Sequence, residues 1–144
     1  MSEKNTSVRA MMILEMIGRP PEHMVKTLNE IIDKINNEKN IKVIEKNIKE
    51  PVLIKDQKDL YSTFAEVEVE VESIMYIFML MFKYMPSNIE IMSPEFIKLQ
   101  NNDISEVLNE VTRKLHTYDK VVRAVQMDNA NLIKKVNEIM KKNK

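Results

Sequence analysis

Residues 104–139 carry apolar side chains at intervals of four, three, four and three residues without a break, and few patterns narrow a chain's options so far. The series is Ile104, Leu108, Val111, Leu115, Tyr118, Val122, Val125, Leu132, Val136 and Ile139, with Asn129 filling the one polar place. An apolar repeat of 3.5 residues, held over five heptads, keeps a single stripe facing a neighbour only if the helices supercoil. The spacing therefore predicts a long C-terminal helix over residues 103–144 that pairs as a coiled coil. Leu108, Leu115, Val122, Asn129 and Val136 take position a of the heptad, and Ile104, Val111, Tyr118, Val125, Leu132 and Ile139 take position d. At about 1.5 Å per residue the seam runs roughly 50 Å.

Asn129 is informative because a polar side chain at a costs stability and in return sets register and strand number. Val122 and Val136 are β-branched at a and Leu132 lies at d, which also favours two parallel strands. Val107, Val121, Ile133 and Met140 widen the apolar stripe beyond a strict seam. A trimer, a tetramer or packing on the rest of the chain therefore stays open. Basic-zipper DNA readers need a basic helix running continuously into the seam. Here Gln100-Asn101-Asn102-Asp103 precedes it and reads as a loop. Asp103 would be the N-cap, with Glu106 three residues later as in a capping box.

Ahead of the seam, proline does most of the punctuation, because the chain has one glycine, Gly18, and five prolines. Residues 10–17 are a nearly continuous apolar run, as in a central strand. Pro21 suits a first helical turn, and Met24, Leu28, Ile31, Ile32 and Ile35 then recur at helical spacing to about residue 37. Residues 41–48 read as a short strand and 49–59 as a polar connection. Over residues 63–71 Ala65, Val67, Val69 and Val71 alternate with Glu66, Glu68 and Glu70, and Glu72 comes next, a half-buried strand. Residues 73–85 are apolar almost all round a helix that Pro86 stops. Residues 88–92 make a last strand. Strand, helix, strand, strand, helix, strand is the order of a ferredoxin-like βαββαβ sandwich, an α+β fold with helices on one face of an antiparallel sheet. The expected organisation is a flexible segment 1–9, an α+β domain 10–100 and the coiled-coil helix 103–144.

Composition removes most chemistry. There is no cysteine, so disulfides, thiolate nucleophiles and zinc–sulfur sites are excluded. Two histidines and scattered carboxylates show no nucleophile–base or metal-ligand spacing, and a single glycine leaves no glycine-rich phosphate loop. The reading is a non-enzyme with no cofactor and no metal. Lys+Arg and Asp+Glu both number 22, so net charge gives no pull towards nucleic acid or membrane. Residues 103–144 carry nine basic against six acidic side chains and residues 1–102 thirteen against sixteen. Lys134, Lys135, Lys141, Lys142 and Lys144 make the tail mildly basic, but a solvated helix surface accounts for them. The polar start lacks a signal peptide's apolar stretch, and the longest apolar run, residues 74–82, is about half a membrane span. A cytoplasmic protein is expected.

Three further places could bind something. The glutamates of residues 66–72, with Glu15 and Glu90 on neighbouring strands, should line the sheet face opposite the helices, partly neutralised by Lys42 and Lys46. They could meet a basic partner or hard cations, and they would repel the phosphates that RNA readers of such a face attract. The helix of residues 73–85 holds Met75, Met79, Met81 and Met85, and methionine-rich surfaces adapt to partners. The turn Gly18-Arg19-Pro20-Pro21-Glu22-His23 brings backbone N–H groups, a helix N-terminus and the Arg19 fork to one spot. His116, on the flank of the seam, reads as structural.

This strand–turn–helix start resembles that of ACT-like regulatory domains, and the resemblance implies a small-molecule sensor binding an anion at Gly18, Arg19 and His23. The leading expectation is different: a non-catalytic homodimeric adaptor or assembly protein, joined by its C-terminal coiled coil to itself or to a related coiled-coil chain.

Overall fold

The computed structural model describes residues 7–143; the segment 1–6, expected to be flexible, lies outside them. Its elements are β1 (Val8–Gly18), α1 (Pro21–Asn36), β2 (Ile41–Ile48), β3 (Val52–Leu53), β4 (Tyr61–Val71), α2 (Ile74–Tyr84), β5 (Asn88–Ser93) and α3 (Asn101–Lys142). The chain divides into two compact units, residues 1–97 and 98–144.

The first unit is an antiparallel sheet in the order β2-β4-β1-β5, with β3 added to β4. With α1 and α2 as the two crossovers this is the ferredoxin-like α+β fold that the order of periods predicts. Its centre is the β1–β4 ladder, eleven residue pairs from Val8↔Val71 to Gly18↔Tyr61. Val8, Ala10, Met12 and Leu14 on β1 and Ala65, Val67, Val69 and Val71 on β4 are buried on the helix side. Period-two alternation on β4 locks this register, since a slip of one residue would turn every valine of β4 outward. Leu28, Ile32 and Ile35 of α1 and Ile77 and Leu80 of α2 close the core from above. Met12 and Met24 are buried thioethers, whereas Met92 on β5 and Met127 and Met140 on α3 are exposed.

Local chemistry ends the elements. Pro21 opens α1. The Ser73 hydroxyl caps α2 by accepting from the Met75 backbone N–H at 3.2 Å, and Met85 turns left-handed at its C-terminus just before Pro86. With glycine so scarce, the left-handed positions fall to Asn40, Asp56, Asp59 and Met85; Asn and Asp tolerate that region best after glycine. Gly18 is not at positive φ. It is the last residue of β1, paired with Tyr61, rather than a turn that needs a glycine.

Four details differ from expectation. β1 begins at Val8, so Val8 and Arg9 belong to the sheet and not to a flexible end. The connection 49–59 holds a two-residue strand, β3, whose Val52 and Leu53 pair with Ser62 and Tyr61 at the start of β4. Both are exposed, so no period could mark them. β2 spans the expected residues, but its ladder with β4 shifts between Val43 and Glu45, a bulge at Ile44. The extra residue exchanges the faces of the second half of the strand. Finally, α2 is apolar all round, a pattern that calls for burial on more than one side, yet only Ile77 and Leu80 are buried; Met75, Phe78, Met81 and Phe82 are intermediate.

Candidate functional site

α3 runs unbroken for 42 residues. It starts at Asn101, after a Gln100 N-cap that makes no side-chain cap bond, so the capping box at Asp103 is not formed. Asp103 lies instead within the first turn, with Lys141 and Lys142 in the last, and each sign complements the helix dipole at its end. The preceding Asn101 and Asn102 are polar and outside the apolar period, so the period could not reveal the earlier start.

No residue of α3 is buried. Of the seam positions, Ile104, Leu108, Leu115, Tyr118, Val122, Val125, Leu132, Val136 and Ile139 are between 40% and 62% exposed. Asn129 is exposed and Val111 intermediate. All eleven predicted positions thus lie on one continuous helix. Its polar flanks are tied locally: Arg113 pairs with Glu110, Arg123 with Asp119 at 3.0 Å, and Thr112 and Thr117 donate to the carbonyls of Leu108 and Arg113. His116 is exposed. Most of the apolar stripe of this long helix is solvated, whereas tertiary packing is what stabilises most helices in proteins. Contiguous exposed apolar surface of this kind marks interaction sites.

Gly18 ends β1, Arg19 lies in the connection and His23 in the first turn of α1, and Arg19 and His23 are exposed. The N-cap of α1 is Pro20, extended and without a side-chain cap bond, which leaves the first-turn amides to solvent. The Thr27 hydroxyl donates to the His23 carbonyl at 2.7 Å. Glu22 shares the same first turn and adds a negative charge beside Arg19.

The outer sheet face carries Glu66, Glu68 and Glu70 on β4, opposite Ile13, Met11 and Arg9 of β1, with Glu90 facing Met11 from β5. The expected partner Lys46 is not there. The bulge at Ile44 pairs Lys46 with Val67 and sets Glu45 opposite Glu68, and Lys46 Nζ donates to Asn29 Oδ1 of α1 at 3.0 Å. Lys42 does face Glu70. The cation in the middle is Arg9, 3.9 Å from both Glu68 and Glu70, and the Ser7 hydroxyl donates to Glu70 at 3.0 Å. Glu68 is only 9% exposed. The apolar pattern of β1 does not point to Arg9, because that residue precedes the run. Among the described residues no three acidic or histidine side chains gather in a group that could hold a metal ion. Nor, among them, is any helix long and apolar enough to cross a membrane.

Compared with known proteins, residues 9–142, nearly the whole chain, fit the family model described as the MJ0538 family. No curated protein matches, and no solved structure matches.

Proposed function

The chain belongs to the MJ0538 family, and we propose that it is a non-catalytic assembly protein of the cytoplasm that pairs with a second copy of itself through α3. The observation that carries this reading is the apolar stripe of α3, sustained at a 3.5-residue repeat along a helix that has no buried residue. A second helix of the same pattern satisfies it, because each apolar knob then enters a hole on its neighbour. The ferredoxin-like unit, with its own core, would be the part that each copy presents to the rest of an assembly. Sedimentation of the full chain and of residues 1–100 tests the reading. A dimeric full chain and a monomeric truncation support it; a monomeric full chain at micromolar concentration removes it. Co-expression with a differently tagged related chain distinguishes self-pairing from hetero-pairing.

A second reading, an anion sensor at the Gly18-Arg19-His23 turn, draws on the uncapped amides of α1 beside Arg19. Its test is a thermal shift with phosphate and with small carboxylates, using Arg19→Ala as control. Stabilisation that disappears in the variant would favour the sensor, and no stabilisation by any anion would retire it.

A further inference from the structure

The self-pairing reading, with its preference for two parallel strands, does not by itself say which residues face one another. We propose, building on it, that two α3 helices pair in parallel and in register, with Asn129 opposite the partner's Asn129. Both ferredoxin-like units then connect to the same end of a two-stranded coil.

The polar layer decides most of this. In a parallel pair, position a faces a and d faces d. Asn129 therefore meets an identical amide, and each side chain offers the other both a donor and an acceptor. In an antiparallel pair, a faces d. The d positions of α3 are Ile104, Val111, Tyr118, Val125, Leu132 and Ile139, and among them only Tyr118 has a polar side-chain atom. Every antiparallel register but one thus sets the amide of Asn129 against aliphatic carbon at both symmetry-related positions, stranding its hydrogen-bonding groups.

Charge disposes of the exception. Pairing Asn129 with the partner's Tyr118 brings the flanking g positions together so that Lys114 faces the partner's Lys135, and does so twice. In the parallel register, g faces the e position five residues on. Lys114 then meets the partner's Asp119, again twice; within its own helix Asp119 also pairs with Arg123 at 3.0 Å. The remaining flanking pairs, such as Val121 with the partner's Gln126 and Asp128 with the partner's Ile133, bring no like charges together. Like charges across a seam are what select against a wrong alignment.

The chain has no cysteine, so a single introduced thiol reports without background. In full-length Val136→Cys, the parallel register puts the two thiols at facing a positions, within disulfide reach. Near-complete conversion to a disulfide-linked dimer on oxidation is expected, and Val122→Cys should behave alike if Val136→Cys folds poorly. The opposing experiment mixes a Leu108→Cys chain with an Ile139→Cys chain, whose thiols face each other only in the antiparallel register that pairs Tyr118 with Asn129. A dimeric mass with no Val136→Cys or Val122→Cys cross-link overturns the proposal, and a mixed disulfide between residues 108 and 139 does so by identifying the other alignment. A monomeric mass for the same proteins removes the self-pairing reading itself, a distinct result.

Discussion

The hydroxyl of Tyr84, the last residue of α2, donates a 2.7 Å hydrogen bond to Oε1 of Glu38 in the connection between α1 and β2. Lys83 reaches the same oxygen, so one carboxylate ties the end of the second helix to the exit of the first. Burial, and then the bond to Glu38, pushes the Tyr84 phenol up to about 12. The bond from Lys83, followed by that from Tyr84, lowers Glu38. A phenol that holds its proton more tightly when folded contributes stability below its unfolded value of 10.0 and loses it as pH rises towards about 12. The carboxylate has the opposite sense: its contribution is present above the ordinary carboxylate range and fades as pH falls through its lowered value. Thermal melting of the chain and of Tyr84→Phe from neutral pH to pH 12 should show the variant a few degrees less stable at neutral pH. The gap should close as pH rises from 10 to 12. Parallel melting curves across that window would mean that the bond is not formed in solution.

The acidic outer face gives a second expectation. Arg9 lies 3.9 Å from Glu68 and from Glu70, and Glu68 is nearly buried. Arg9→Met should therefore destabilise by on the order of 1 kcal/mol, the upper end for a partly exposed pair. Adding Glu68→Gln should recover most of the loss, since the carboxylate left without its cation is what costs. Urea denaturation of the two single variants and the double variant measures the coupling; strictly additive losses would remove Arg9 from this role.

Gly18 yields a third. It has no positive φ, and a Cβ built on it meets no atom within 4 Å. Gly18→Ala should be neutral or stabilise by about 0.5–1 kcal/mol, because alanine lowers the entropy of the unfolded chain. A fall in melting temperature would show that the turn after β1 needs the glycine after all.

Asn129→Val provides the fourth. If the seam forms, replacing its one polar layer should raise the melting temperature of the assembly while broadening its stoichiometry, as sedimentation would show. Unchanged mass and unchanged melting would count against a buried seam at that position.

Where one face of an element is buried, its sequence is easy to read. Val67, Val69 and Val71 against Glu66, Glu68 and Glu70 reveal β4 because the core rejects one set and accepts the other. Met24, Leu28, Ile32 and Ile35 do the same for α1, and these two with β1 are enough to predict the sheet. The features that escape have no such contrast. β3 is two exposed residues held by backbone bonds, which any side chain can make. The bulge at Ile44 leaves no mark, because Ile-Lys-Val-Ile-Glu-Lys alternates acceptably with or without an inserted residue. That single step moves Lys46 off the glutamate face and puts Glu45 on it. At α3, Asp103 and Glu106 carry the letters of a capping box while the helix has already begun at Asn101. The eleven predicted seam positions fall within one helix because helical periodicity needs only continuity, which α3 has.

The division of methionines between core and surface has a use in chemical footprinting. Without a thiol in the chain, its thioethers are the sulfur that mild peroxide can oxidise, each gaining one oxygen and becoming polar. Met12 on β1 and Met24 on α1, both buried, should react only when the fold opens. Met127 and Met140 are both exposed on α3, but Met127 lies on the outer side of the heptad and Met140 beside the seam. Their relative oxidation rates, tracked by mass spectrometry as the protein is diluted, form an internal ratio. A Met140 that is slow only when concentrated would record the association itself, in the unmodified sequence and without a label.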